Sequence, residues 1–247
     1  MNYHDKEYCL RIKGDFACFT RPEMKVERVS YDVITPSAAR AIFQAIFWKP
    51  AIQWVVTRIE VLAPIKRFSI RRNEVKKTMS TGSDGFYIGA ERTQKASYIL
   101  RDVDYRIHAK MVYLPPSQRS KKAQEYFEKE YSDEEKATEN PGKYQAIFER
   151  RAKAGQSFTM PYLGSREFTC SFEFVEEPQT AKPAPINESK ELGIMLYDMD
   201  FGIDGPTPEQ QKDRKKKLKK PIPMFYYAEM NNGVIEVPSL DSDKILR

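Results

Sequence analysis

Lys143 and Tyr144 stand where a short basic helix is predicted to begin, in the stretch ENPGKYQAIFERRAKAGQ at residues 139–156. A lysine can give positive charge and hydrogen bonds to a phosphate, and a phenol can exchange a proton. The ordinary pKa of a tyrosine, about 10, makes it a poor base at neutral pH. The pair is therefore either the edge of an active site or the first turn of a surface helix, and the stretch alone leaves both open.

The remaining residue types exclude several familiar sites. The sequence contains no P-loop, no dinucleotide fingerprint and no G-x-S-x-G motif. The two histidines, His4 and His108, are far apart, and Cys9, Cys18 and Cys170 form no CxxC pair, so the usual zinc spacings are absent. We expect no metal and no cofactor; a metal site built from carboxylates stays open, although no acidic cluster has a recognisable ligand spacing. One of the three cysteines would be left over from any disulfide, which favours a reducing, cytoplasmic location.

The charge of the chain is concentrated in one segment. The chain has 41 basic and 35 acidic residues, a net charge of +6, and the run KDRKKKLKK at 212–220 holds seven basic residues and one acid. Such a run attracts phosphate, and a solvated loop without a partner is the alternative. The candidate contacts to DNA phosphates are Arg214, Lys215, Lys216 and Lys217. The sequence contains no apolar run of about 18 residues, which is the length that a membrane-spanning helix requires.

Hydrophobic periodicity predicts an α+β chain. The strong elements are a strand at 7–13, a helix at 36–48, strands at 52–62 and 103–114, a helix at 143–154 and a strand at 167–175. This order is that of the ferredoxin-like split βαβ, or RRM-like, fold, with both helices on one face of an antiparallel sheet. A loop of about 40 residues after 62 is predicted to be functional or mobile, and 121–139 is predicted to be a charged helical insertion.

The C-terminal third is predicted to be a separate unit. Residues 176–190 are proline-rich and indicate a linker or crossing loop, and Asn232-Gly233 is typical of a type I′ turn between two strands. We therefore predict a ferredoxin-like domain with insertions at 1–178, which binds RNA and carries the catalytic residues. A small antiparallel β domain with a lysine-rich loop is predicted at 179–247.

A split βαβ frame with aromatic residues, a polar strand face and cations favours single-stranded RNA as the partner. Each candidate contact is either an RNA-binding group or an ordinary solvated or paired side chain. The candidates are Trp48, Lys49, Arg71, Arg72, Arg106, His108, Lys110 and Arg166.

Five blocks of sequence resemble a known family. They lie at 14–50, 63–74, 98–111, 142–168 and 195–201, and include the words FWKP, RRNE, LRDVDYRI and YLGSREF. Together they identify the chain as similar to the CRISPR-associated Cas-five family, in the variant of type I-C systems. The resemblance runs along nearly the whole chain.

The resemblance implies an activity and partners. Members are metal-independent endoribonucleases that cut the repeat hairpin of precursor CRISPR RNA and stay bound to the 5′ handle of the guide. They join the other type I-C subunits in a surveillance complex that inspects double-stranded DNA. The resemblance also implies a ferredoxin-like domain followed by a smaller β domain.

The catalytic set of the family is only partly present. Its tyrosine lies in a Y-W-K-P motif, which here reads FWKP at 47–50, and its lysine and histidine lie in G-K-H, which here reads GKY at 142–144. Lys143 occupies the position of the family's lysine. Phe47 has no proton to transfer, and Tyr144 replaces the imidazole.

The roles of these positions differ accordingly. Lys143 can stabilise charge on the phosphate undergoing attack. Tyr144 is a candidate for acid-base work, packing or stacking on RNA, with Arg150 and Arg151 as nearby cations that can lower its pKa. Phe47 is expected to be a core residue or a stacking platform, and His108 can serve as the base only if the fold brings it close.

Two other functions remain open at this point. One is a binding subunit that holds the guide handle and has lost or handed on the cutting step. The other is a general duplex-DNA-binding or assembly protein that uses the run at 212–220.

Overall fold

The computed structural model describes residues 5–24, 26–80, 82, 84–200 and 221–247. The phosphate patch predicted at Arg214, Lys215, Lys216 and Lys217 therefore lies outside the described residues, as does His4. Within the described part of the chain, no helix is both long enough and apolar enough to cross a membrane.

The described residues form a mixed α/β structure. Its helices are α1 (Pro36–Ile46), α2 (Lys121–Glu130), α3 (Asp133–Ala137) and α4 (Pro141–Lys153), with a 3-10 turn at Pro116–Gln118. Its strands are β1 (Lys6–Ala17), β2 (Arg28–Val29), β3 (Ile52–Val61), β4 (Lys66–Val75), β5 (Arg92–Tyr113), β6 (Ser171–Val175), β7 (Lys190–Asp200), β8 (Ile222–Met230), β9 (Val234–Glu236) and β10 (Ile245–Leu246).

The strands form two sheets that are almost wholly antiparallel. The larger sheet has the order β6-β1-β5-β3-β9, and the first half of β5 also pairs with β4 and, in parallel, with β2. The smaller sheet has the order β10-β8-β7. With its 22 residues, β5 is long enough to pair with β4 at one end and with β3 at the other.

An aromatic cluster joins α1 and α4 to the larger sheet. The ring of Trp54 on β3 lies 4.8 Å from that of Phe43 on α1 and 4.6 Å from that of Phe148 on α4, while Tyr8 on β1 lies 4.8 Å from Phe148. Phe43 and Phe148 are fully buried. Burial of such rings is the main stabilising contribution at this contact, so the cluster sets where both helices sit.

The prediction of a long loop after residue 62 is wrong for much of that range, because two strands occupy it. β4 pairs with the first half of β5 from Lys66 opposite Arg101 to Val75 opposite Arg92, so only residues 76–91 connect the two strands. Most of β4 is exposed, and polar residues stand on both of its faces. The alternation of apolar and polar residues that reveals a half-buried strand is therefore missing there.

The turn predicted at Asn232-Gly233 is confirmed, because both residues have the positive φ that a type I′ turn requires, 49° and 74°. The strands it joins separate, however. β8 pairs with β7 and β10, whereas β9 pairs with β3 of the larger sheet. The prediction that the C-terminal third forms a sheet of its own is thus wrong for β9, whose Ile235 is fully buried in the common core. A division into domains at 178/179 stays a prediction.

Replacing Phe148 by alanine is expected to lower the free energy of unfolding by about 3–5 kcal/mol, because it leaves a cavity between α4 and the sheet. Urea denaturation measures this change. Tyr227→Ala, at a position 63% exposed, is the control and is expected to change it by no more than about 0.5 kcal/mol. A loss of less than about 1 kcal/mol for Phe148→Ala would contradict the role given to the cluster.

Candidate functional site

Lys143 lies in the first turn of α4, and the local sequence explains why the helix begins there. The side-chain oxygen of Asn140 accepts a hydrogen bond from the Lys143 backbone N–H at 2.9 Å, and Pro141 follows as the first helical residue. The Lys143 side chain is exposed. Among the residues that the structure describes, none forms an ion pair with its ammonium group.

Trp48 and Lys49 lie just after the end of α1, on the same surface as Lys143. Trp48 is 52% exposed, and the Lys49 ammonium lies 5.2 Å from the ring centre of Tyr131. The pKa of Glu135 on α3 is lowered, first by hydrogen bonds from Ser132 and then by the positive charges of Lys143 and Lys49. Both lysines are therefore close enough to α3 to act on one carboxylate. We call the surface formed by Trp48, Lys49 and Lys143 the lysine edge.

Phe47 and Tyr144 lie beneath this edge, not on it. They are 2% and 4% exposed, with ring centres 6.1 Å apart. The Arg151 guanidinium lies 5.4 Å from the Phe47 ring and donates a hydrogen bond to the Ile46 carbonyl at 3.2 Å. Of the two roles expected for Phe47, core or stacking platform, the burial favours the core.

The Tyr144 hydroxyl is committed to a buried carboxylate. It donates to Glu139 at 2.6 Å, and Arg119 donates to both oxygens of the same carboxylate at 2.9 Å. Burial raises the pKa of Tyr144, and the hydrogen bond to Glu139 raises it further. Tyr144 therefore keeps its proton at neutral pH, and this position offers no general base.

The polar face predicted on the third strand is largely covered, which corrects the expected surface role of Arg106 and His108. Their side chains are only 3% and 2% exposed; Arg106 donates to Glu60 at 2.6 Å and His108 lies 3.0 Å from the other Glu60 oxygen. Arg106 also donates to the Ala181 carbonyl at 2.7 Å, so the proline-rich segment crosses this face. Only Lys110 of the three is exposed.

Glu60 is the charge that makes this burial feasible. Burial alone would raise the pKa of Glu60, but the hydrogen bonds from His108 and Arg106 outweigh it and hold the pKa below its ordinary value. Paired in this way, Arg106 and His108 stabilise the sheet and do not face solvent. The cluster shows why sequence alone misassigned them, since their partner lies 46 and 48 residues away.

A second cationic region lies at the β4–β5 hairpin and the loop before β6. Arg28, Arg72 and Arg166 line a groove of about 690 Å³ there. Arg72 is paired with Glu74 and Glu167, whereas Arg71 and Arg166 are exposed and have no ion pair within the described ranges. Half-exposed aromatic side chains lie on these same segments at Phe68, Tyr98 and Tyr162, and the ring of Phe16 on β1 lies 6.0 Å from that of Phe68. The sequence pattern does not reveal Phe68 and Tyr98 as part of this surface, because most of the hairpin is predicted to be a loop.

A larger groove of about 790 Å³ adjoins Trp48, and we call it the α1 groove. Its walls come from α1, β3, the start of α2 and the end of β7. Arg40 on α1 is held by a two-point ion pair with Asp198 on β7, at 2.6 and 2.9 Å. Tyr126 on α2, 48% exposed, lies on the wall together with Trp48. No sequence motif predicts this groove because elements from distant parts of the chain build it.

The described residues contain no group of three or more His, Cys, Asp and Glu side chains placed to hold a metal ion. The three cysteines are buried and free. Burial raises the pKa of the Cys9 and Cys170 thiols to about 12, so both are protonated at neutral pH and neither is a ready nucleophile.

Comparison with known proteins decides the family. Residues 7–238 match the family described as "CRISPR-associated protein (Cas_Cas5)". The chain belongs to this family. A protein of Mannheimia succiniciproducens, named "CRISPR pre-crRNA endoribonuclease Cas5d", is 39% identical over 253 residues, which cover 96% of this chain and 97% of that relative. A relative of the same name from Thermus thermophilus is 37% identical over 241 residues, covering 96% of this chain and 94% of the relative.

Solved structures agree with the fold. A crystal structure of a CRISPR-associated protein gives a TM-score of 0.63 at 22% identity and covers 99% of this chain and 98% of that one. The protein SMU1763c from Streptococcus mutans gives a TM-score of 0.62 at 21% identity, with 99% of each chain covered. The family match and the two relatives confirm the family predicted from the sequence blocks, and the solved structures show that the fold recurs in experimental structures.

Replacing Glu60 by glutamine is expected to lower the free energy of unfolding by about 3–5 kcal/mol, because Arg106 is then buried with its charge unpaired. The contribution of the Glu60 charge is present above its ordinary pKa of 4.5 and is lost as the pH falls through the lowered value. Denaturant titrations between pH 3 and pH 7 measure both effects.

Lys110→Ala, on the same strand as Arg106 but exposed, is the matched control for Glu60→Gln and is expected to leave the unfolding free energy within about 0.5 kcal/mol of the wild type. Equal stabilities of the Glu60→Gln and Lys110→Ala variants at neutral pH would show that the buried cluster does not stabilise the sheet.

Proposed function

We propose that this chain is an endoribonuclease that cuts the repeat hairpin of precursor CRISPR RNA without a metal ion. It then keeps the 5′ handle of the guide within a type I-C surveillance complex, beside the other subunits. Two relatives that match it almost end to end carry the name pre-crRNA endoribonuclease. The observation that carries the proposal is the edge formed by Lys143, Lys49 and Trp48, where two ammonium groups and an exposed indole are offered to an RNA strand.

We also assign the N-terminal part, residues 1–178, to the ferredoxin-like class. The order β6-β1-β5-β3 in space, with β1, β3, β5 and β6 following one another along the chain, supports it. So do the two helices α1 and α4, which pack through Phe43 and Phe148 on one face of the sheet. In this assignment β7, β8 and β10 form the smaller β domain within 179–247, whereas β9 joins the larger sheet.

The reaction proposed is an internal transesterification. The 2′-oxygen attacks the neighbouring phosphorus, the bond to the 5′-oxygen breaks, and the products carry a 2′,3′-cyclic phosphate and a 5′-hydroxyl. Lys143 donates hydrogen bonds and positive charge to the phosphate oxygens as negative charge builds up on them. Tyr144 keeps its proton and Phe47 has none to exchange. The 2′-hydroxyl proton therefore leaves to solvent, and the departing 5′-oxygen takes a proton from solvent.

The RNA is proposed to cross two separate regions. At the lysine edge Trp48 stacks on a base and Lys49 contacts phosphate, and the α1 groove receives the strand beyond Trp48. At the second region Arg71 and Arg166 contact the handle, with Arg72 held in place by its carboxylate partners. Lys110 adds a further exposed cation on β5. Base stacking on aromatic rings with flanking cations is the usual way of holding single-stranded RNA.

A binding subunit without cutting activity is the second candidate. The observation that favours it is the burial of both Phe47 and Tyr144, because these positions match the tyrosine and histidine of the family's catalytic set. Under this function the lysine edge holds the guide handle only. A general role in binding duplex DNA would rest on the run at 212–220, which lies outside the described residues.

Lys143→Ala is expected to slow cleavage of a labelled cognate repeat hairpin by roughly 10²-fold or more, equal to about 2.7 kcal/mol of barrier, because the phosphate loses its nearest charge. Single-turnover assays in excess EDTA measure this rate. Lys244→Ala, an exposed lysine near the C-terminus, is the control and is expected to cut at the wild-type rate.

Tight binding of the hairpin with no cutting by wild-type protein would replace the nuclease with the binding subunit. Cutting that EDTA abolishes would overturn the metal-independent reaction. Cutting at the same rate by Lys143→Ala would remove Lys143 from the site.

Binding of a single-stranded RNA is expected to quench the tryptophan fluorescence of the protein through Trp48. The chain has two tryptophans, and Trp54 is 1% exposed, so Trp48 is the one within reach of a base. Stacking contributes about 1–3 kcal/mol per base, so Trp48→Ala is expected to raise Kd by roughly 5- to 150-fold. Tyr227→Ala is the control. Unchanged quenching in Trp48→Phe would show that RNA does not stack at this position.

A further inference from the structure

The inserted segment 120–138 is closed at its base by a buried ion pair. Arg119 immediately precedes the segment and Glu139 immediately follows it, and their side chains are 1% and 6% exposed. Arg119 donates to both oxygens of Glu139 at 2.9 Å, and its Nε donates to the Leu114 carbonyl at the same distance. A buried pair with this many hydrogen bonds holds its two ends in one geometry.

The same carboxylate also holds α4. Tyr144 donates its hydroxyl to Glu139 at 2.6 Å, and Asn140, the next residue after Glu139, caps the Lys143 backbone N–H. The chain on both sides of Lys143 is therefore fixed, by residues 139 and 140 before it and by residue 144 after it. The Lys143 side chain itself is exposed.

The closed segment reaches the other lysine as well. Tyr131 lies between α2 and α3 and faces the Lys49 ammonium at 5.2 Å. The positive charges of Lys49 and Lys143 both lower the pKa of Glu135 on α3. The segment thus lies close to both cations.

We propose that Tyr144, Glu139 and Arg119 form a clasp whose task is to position Lys143 for cleavage, and that Tyr144 is a positioning residue and transfers no proton. This inference rests on the proposed nuclease function and assigns a role to the residue that stands where the family has an imidazole. Reactions that depend on a placed charge lose rate steeply when that charge shifts by about 1 Å. The clasp supplies the rigidity that such a placement needs.

The test measures single-turnover cleavage rates and hairpin Kd for the wild type, Tyr144→Phe, Lys143→Ala and the double variant. Tyr144→Phe keeps the ring and loses only the hydrogen bond, so we expect a rate roughly 5- to 30-fold lower with an unchanged Kd. In the Lys143→Ala background the same change is expected to alter the rate by less than about twofold, since there is no ammonium left to position. Tyr227→Phe on β8 is the control.

The dependence of the rate on pH separates positioning from chemistry. Because burial and Glu139 raise the pKa of Tyr144, its phenol stays protonated between pH 6 and pH 9, and Tyr144→Phe is expected to keep the wild-type profile over that range at a lower rate. Glu139→Gln, the second variant, keeps the shape of the side chain but leaves Arg119 buried without its charged partner, so it also lowers the free energy of unfolding, as Glu60→Gln does. It is expected to show the same loss and the same lack of additivity with Lys143→Ala.

Three results overturn the clasp while leaving the nuclease intact. One is a Tyr144→Phe rate equal to the wild-type rate. Another is a full effect of Tyr144→Phe in the Lys143→Ala background, and the last is an altered pH profile, which would assign Tyr144 a proton transfer. A wild-type protein that binds the hairpin and does not cut it overturns the nuclease function, and the clasp falls with it.

Discussion

Backbone pairing along β5 is the constraint on which the rest of the structure depends. This strand bonds to β1 on one side and to β3 and β4 in succession on the other, and it carries β2 as well. Every strand that pairs with it is thereby fixed in register, and a slip of one residue would turn each side chain to the opposite face. The end of β5 also delivers Tyr113 to the carboxylate of Glu139, which links the sheet to the start of α4.

The energetic penalty for burying charge divides the cations of this protein into two groups. A buried guanidinium or imidazole needs a partner, and the structure provides Glu60 for Arg106 and His108 and Glu139 for Arg119. Exposed cations need none, and Lys143 is free of ion pairs in the part of the chain that is described. Such a free ammonium keeps its hydrogen-bonding capacity for an incoming phosphate. The paired groups stabilise the frame that carries it.

Much of the frame could be predicted from local signals. The capped start of α1 at Thr35-Pro36, the alternation in β1 and the turn at Asn232-Gly233 each depend on neighbouring residues, and each is found where expected. The features that could not be predicted depend on distant partners. Arg106 is buried because the segment around Ala181 covers it, and β9 leaves its hairpin partner for β3 because of a common core. Tyr144 differs from these cases, because its partner Glu139 is only five residues away. Burial of that pair nevertheless requires the end of β5 and Arg119.

We propose that the RNA is cut at the edge formed by Trp48, Lys49 and Lys143, above a core that holds Phe47 and Tyr144. The most direct measurement is photo-crosslinking of a repeat hairpin that carries 4-thiouridine at the cut position and a 2′-deoxyribose to prevent cutting, with the crosslinked peptides identified by mass spectrometry. We expect crosslinks to peptides from the end of α1 and the start of α4. Crosslinks confined to the β4–β5 hairpin and the loop around Arg166 would contradict it.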